Sequence, residues 1–116
     1  MAQLHAVGAS IVLGAVLVTG LIATFAALRG GSPWTDRLRP GLTVVIGLQV
    51  AGGVALYVSG ARPNESLHLL YGLATLAILP LASTFAAQAP PRARGWVLVA
   101  SCAILLAMAW RLGSTG

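Results

Sequence analysis

Four apolar stretches, approximately Leu4 to Leu28, Gly41 to Gly60, Leu67 to Ala89 and Gly95 to Leu112, leave this chain few ways to fold. Each reaches the roughly 18 to 25 residues with which a helix, rising about 1.5 Å per residue, crosses about 30 Å of hydrocarbon. The helix breakers and nearly all the charges fall between them. Arg29 to Pro40 holds Gly30, Gly31, Pro33 and Pro40; a short run follows from Gly60 to Ser66; the third break holds Pro90, Pro91, Arg92 and Arg94. Short connections force consecutive helices to run antiparallel, so the expected fold is all-α: a membrane-spanning up-down-up-down four-helix bundle forming one transmembrane domain over residues 1–116.

Composition excludes the soluble alternatives. Of 116 residues 58% are hydrophobic and 8% charged, against about 25% charged in soluble domains, too few to cover a water-exposed surface. The formal charge of +5 comes from seven Arg against Asp36 and Glu65. These charges are scattered through linkers and helix ends, whereas a nucleic-acid surface needs a basic stripe on one folded face. Cys102 is the only cysteine and lies inside an apolar run, where a thiol is expected to be inert packing. Arg without Lys, with abundant Ala and Gly, suits a GC-rich bacterial genome and hence a bacterial inner membrane.

Arg29, Arg37, Arg39, Arg92 and Arg94 belong to the first and third linkers, while the other side carries Arg62, Arg111 and the amino terminus. The positive-inside rule then turns those linkers to the cytoplasm and both termini outward. Trp34 and Trp96 fall at one interface and Tyr57, Tyr71 and Trp110 at the other. The first segment lacks a basic leader and is longer than the roughly 7 to 15 apolar residues of a signal peptide, so it is read as a helix. Pro80 lies inside the third helix, where a kink is expected.

Two side chains stand out chemically. His5 and His68 each sit just inside the start of an odd-numbered helix, at matched depth near the outer face. In such a bundle the first and third helices are diagonal, so inward side chains at one level point at each other, as two axial ligands of one haem iron do. Gly8 and Gly72 follow the histidines on the same helical faces, and Gly52 and Gly53 add small residues on the second helix where a flat macrocycle needs room. The plainer alternative is that both imidazoles sit unliganded in the headgroup region or at helix contacts. Another metal or a proton relay is a third reading, although zinc or copper wants further ligands, and only Gln3 and Glu65 lie near. Arg62 is placed to meet a haem propionate, or else to pair with Glu65 at the surface.

The stretch Leu48-Gln49-Val50-Ala51-Gly52-Gly53-Val54-Ala55-Leu56-Tyr57-Val58-Ser59-Gly60, a short linker and then Leu67-His68-Leu69-Leu70 resembles a helix, loop and histidine-bearing helix in one half of the haem A synthase family. His5 then corresponds to the earlier histidine-bearing helix, and the resemblance covers roughly residues 3–87. It implies a haem-binding half-bundle with His5 and His68 as ligands. Members usually have eight helices, and in their catalytic half a carboxylate precedes the first histidine and an Arg follows it. Here Ala2, Gln3 and Leu4 precede His5 and Ala6 follows it, and the paired outer cysteines of some members are missing. What carries over is the scaffold rather than the oxidase chemistry, and a homodimer would restore eight helices.

The remaining features read as packing. Ala103 with Ala107, and Ala51 with Ala55, form small-residue pairs expected to pack within the bundle. Ser10, Thr19, Thr24, Thr43, Thr75, Ser83, Thr84 and Ser101 are expected to bond back to carbonyls of their own helices. The leading functional expectation is a haem b protein with His5 and His68 as iron ligands, passing electrons to a membrane redox partner or quinol and not an enzyme by itself. The alternative is a cofactor-free accessory or assembly subunit of a larger membrane complex.

Overall fold

The computed structural model describes all 116 residues and is entirely helical. Its long helices are α1 (Ala2–Leu28), α2 (Leu38–Val58), α3 (Leu67–Ala86) and α4 (Pro91–Thr115), with a short 3-10 helix over Pro33–Arg37. All four long helices are long and apolar enough to cross a membrane.

The ends of the helices follow from backbone chemistry. Gly30 and Gly31 adopt φ of 96° and 90°, a region that costs residues with a Cβ, and so the chain leaves α1 there. The turn is closed by Gly31 N–H donating to the Ala26 carbonyl at 2.8 Å. Gly60, at φ 104°, ends α2 in the same way, with Ala61 N–H donating to Leu56 O at 3.1 Å. Gly31 has a second constraint: a Cβ there would lie 2.7 Å from the Pro91 carbonyl carbon, because the first linker passes directly against the start of α4.

Helix boundaries differ from the hydropathy reading where charge and proline fall inside a first turn. The second and fourth helices begin at Leu38 and Pro91 instead of Gly41 and Gly95, taking in Arg39, Pro40, Arg92 and Arg94. Proline is tolerated there because the first-turn N–H groups have no intrahelical acceptor in any case. The third helix ends at Ala86, short of Ala89, and is helical through Pro80.

The close packings are α1 on α2, α2 on α3, α3 on α4 and α4 on α1, the last being the most extensive. Small residues allow that approach. A Cβ added at Gly20 would lie 3.2 Å from Cys102 Cβ, and one at Gly95 would lie 3.1 Å from Ala27 Cβ. Cys102 is buried in this seam. All the intrahelical hydroxyls named above except Thr19 do bond to carbonyls of their own helix, as Thr24 to Gly20 O at 2.7 Å and Ser101 to Val97 O at 2.7 Å. The two alanine pairs are a correction. Ala51, Ala55, Ala103 and Ala107 are all exposed on the outside of the bundle, because α4 turns Leu98, Ser101, Cys102 and Leu105 inward instead.

The buried apolar core is confined to one half of the molecule. It comprises Val16, Ala23, Leu42, Ile46, Leu79, Leu98, Cys102 and Leu105. Nothing in α1 before Val16, in α2 after Ile46 or in α3 before Thr75 is buried, and in α4 beyond Leu105 only Thr115 is. Only 17 of the 116 residues are buried at all, and side chains such as Leu4, Leu48, Val58 and Phe85 are at least 70% exposed, so the outer surface is apolar all round.

Candidate functional site

Both histidines lie in the half without a buried apolar core, and each is half-buried. His5 sits in the first two turns of α1 against the C-terminal half of α2. A Cβ added at Gly53 would lie 3.0 Å from His5 Cε1, and one at Gly52 would lie 3.8 Å from Nδ1. The paired glycines therefore make the flat face on which this imidazole rests. A groove of about 280 Å³ runs beside it, lined by Met1, Leu4, His5, Leu48, Gln49, Gly52 and Leu56.

Gln49 holds the ring in place. Its Nε2 donates to the backbone carbonyl of His5 at 2.8 Å and faces His5 Nδ1 at 3.3 Å. A carbonyl oxygen only accepts, so the amide nitrogen must point this way, and its second proton is directed at Nδ1. His5 Nδ1 is then an acceptor and the ring proton resides on Nε2. Gly8 makes room for the same side chain, since a Cβ there would collide with Gln49 Oε1.

His68 has the opposite polarity. Its Nδ1 lies 3.3 Å from Thr115 Oγ1. The Thr115 hydroxyl donates its own proton to the Arg111 carbonyl at 2.9 Å, which leaves it an acceptor toward the ring. His68 therefore carries its proton on Nδ1, and its Nε2 lone pair is free. The C-terminal end of α4 is tied to this corner: Asn64 Nδ2 donates to the Gly116 carbonyl, and Glu65 N–H to Thr115 O at 3.1 Å.

The two imidazoles lie in the same half of the bundle, on α1 and α3, which are not a closely packed pair. Gly72, one turn after His68, has open space where a Cβ would stand, with nothing within 4 Å. No cluster of three His, Cys, Asp or Glu side chains forms in the chain. Arg62 does not pair with Glu65. Its guanidinium donates to the carbonyls of Tyr57 at 2.6 Å and Ala61 at 3.1 Å and stacks over the Tyr57 ring at 4.2 Å, a cation–π contact that holds it at the helix end. Arg111 stacks similarly near Tyr71, 5.6 Å from the ring centroid, with a 3.4 Å contact to its hydroxyl.

The sequence singled out His5, His68, Gly8, Gly52, Gly53, Gly72 and Arg62. The first five of these assemble around two elements each, Gly8 by way of Gln49 and His68 by way of Thr115, while Gly72 borders open space and Arg62 is engaged by Tyr57. Gln49 and Thr115 are the residues sequence reasoning passed over. Gln49 was visible as an amide in the interior of an apolar span, where a polar side chain is functional by default. Thr115 lies three residues beyond the expected end of the fourth helix, where no apolar pattern marks it.

Comparison with known proteins finds no matching family model, no matching curated protein and no matching solved structure.

Proposed function

We propose that this chain is an integral membrane haem b protein that transfers electrons, an up-down-up-down bundle with α1 and α3 diagonal and with His5 and His68 as the iron ligands. The observation carrying the reading is the pair of half-buried imidazoles in the same half of the bundle, the half that has no buried apolar core. Open space at Gly72 and the glycine face under His5 suit a flat macrocycle, and a second-row partner on each ring nitrogen is how ligating histidines are ordinarily oriented.

The two rings differ in readiness. A histidine that ligates through Nε2 must keep its proton on Nδ1. Thr115 already holds His68 in that form. His5 is held in the other, and it would reach the ligating form if its ring proton moved from Nε2 to Nδ1 and the Gln49 amide turned its Oε1 to accept a hydrogen bond from Nδ1–H. Arg62, at the same face, would meet a propionate only by giving up its contacts with the Tyr57 ring and the Tyr57 and Ala61 carbonyls. Haem held by two imidazoles supplies one-electron transfer and leaves no open position for oxygen. The resemblance of residues 3–87 to a haem A synthase half supports the same scaffold.

The apolar outer surface supports insertion in a bilayer, and the arginine distribution supports an orientation in a bacterial inner membrane with both termini outside. A membrane redox partner, a quinol or a second copy of the chain completes the electron path. The deciding experiment is an absorption spectrum of protein purified in mild detergent from haem-supplied cells, oxidised and then dithionite-reduced. Sharp α and β bands at about one haem per chain support the assignment. A featureless spectrum overturns it and leaves a cofactor-free accessory subunit.

A further inference from the structure

The end of the bundle away from the histidines carries five guanidinium groups, those of Arg29, Arg37, Arg39, Arg92 and Arg94, and a single acid, Asp36. Arg94, in the first turn of α4, meets Asp36 of the 3-10 helix at 3.4 Å, the one ion pair in the chain. Arg39 follows Asp36 by three residues along continuous helical backbone, which places both on one face. The Nε atoms of Arg39 and Arg94 are shielded from solvent and have no acceptor within the chain. A shielded donor left unpaired is costly, and a guanidinium donates in a fixed fork that matches phosphate oxygens. Around this pair, Trp34 and Trp96 are exposed at the level where aromatic rings meet lipid headgroups.

We infer that Arg39 and Arg94, bracketing Asp36, form a binding site for the phosphodiester of an anionic glycerophospholipid at the arginine-rich end. Two guanidinium charges against one carboxylate leave a local charge of +1, which complements one phosphodiester. Basic pockets between transmembrane helices are where acidic headgroups bind. The further cations Arg29, Arg37 and Arg92 disfavour a lipid whose headgroup also carries a positive charge. The apolar flanks of α2 and α4 receive the acyl chains, so the occupant is a lipid and not free phosphate.

The test is native mass spectrometry of the full chain released from bilayer discs of equimolar phosphatidylglycerol and phosphatidylcholine, for the wild type and for Arg39→Gln, Arg94→Gln, the double variant, Arg92→Gln and Arg111→Gln. Retained phosphatidylglycerol over phosphatidylcholine is expected to fall about fivefold for each guanidinium removed at the site and to stay at the wild-type ratio in Arg111→Gln. Helix content by circular dichroism identifies any variant that fails to fold, and Arg39→Lys, which keeps the charge but loses the fork, is expected to recover only part of the preference. An unchanged ratio in a folded double variant, or an equal loss in Arg92→Gln, overturns the site in favour of diffuse attraction. Displacement of the lipid by inorganic phosphate alone overturns the lipid assignment.

Discussion

His68 Nδ1 sits 3.3 Å from Thr115 Oγ1, joining the first turn of α3 to the last turn of α4 through a hydroxyl whose own proton is committed to Arg111 O. That arrangement fixes which ring nitrogen is free. Thr115→Val keeps the side-chain shape and removes the acceptor, so if His68 holds haem as proposed, haem affinity is expected to fall about 10-fold to 100-fold, the usual effect of losing a partner behind a ligand. Haem transfer to a soluble acceptor protein measures it. Unchanged retention would show that the tautomer of His68 does not matter.

Gln49 should behave in the opposite sense. Gln49→Glu presents only acceptors to His5, which moves the ring proton to Nδ1 and leaves Nε2 for the iron. Affinity in the same transfer assay is expected to rise about 10-fold. A fall would mean that the amide contact with the His5 carbonyl matters more for placing the ring than for its protonation.

Replacing either histidine with alanine is expected to abolish the low-spin absorbance of the reduced protein. The glycine beside His68 offers a separate probe of the same space. Gly72→Ala has no atom to collide with and gains about 1 kcal/mol of helix propensity, so melting in detergent should hold or rise. Gly72→Leu is expected to fold equally well yet to lose haem, because the longer side chain fills the open volume. Haem retained by a folded Gly72→Leu protein would place the cofactor elsewhere.

Gly31 is expected to be the least replaceable glycine in the chain. Its φ of 90° already costs an L-residue about 1–3 kcal/mol, and an added Cβ must also push the Pro91 backbone away. Gly30→Ala, at φ 96° with open space around it, carries the first cost only. Thermal unfolding of the two variants should rank Gly31→Ala clearly below Gly30→Ala.

Orientation can be read without a fusion partner, since Cys102 is 2% exposed and silent to bulky reagents. Ser66→Cys, in the second linker, is expected to react with an impermeant maleimide on intact cells, and Ser32→Cys only after lysis. The reverse pattern would place the arginine-rich linkers outside.

The number and approximate extent of the helices were legible because four apolar runs separated by Gly, Pro and Arg admit little else. The first turns of α2 and α4 were not, because hydropathy counts Arg39, Arg92 and Arg94 as linker while the backbone counts them as helix. The histidines were legible as rare ionisable groups in apolar surroundings. Their partners were harder to see, since a ring's tautomer depends on contacts made across 44 and 47 residues of sequence. Ala51, Ala55, Ala103 and Ala107 misled for a related reason: small residues mark a surface that can pack closely, and they do not say which surface is inward.

The confinement of Val16, Ile46, Leu79 and Leu105 to the half of the bundle away from the imidazoles gives the molecule the mechanics of a clothes-peg. The jaws carry the imidazoles and the spring lies in the Gly20–Cys102 and Gly95–Ala27 seams. No buried apolar core ties the jaws together, so spreading them would leave the spring intact. If the jaws hold haem as proposed, the protein without it should therefore keep its fold.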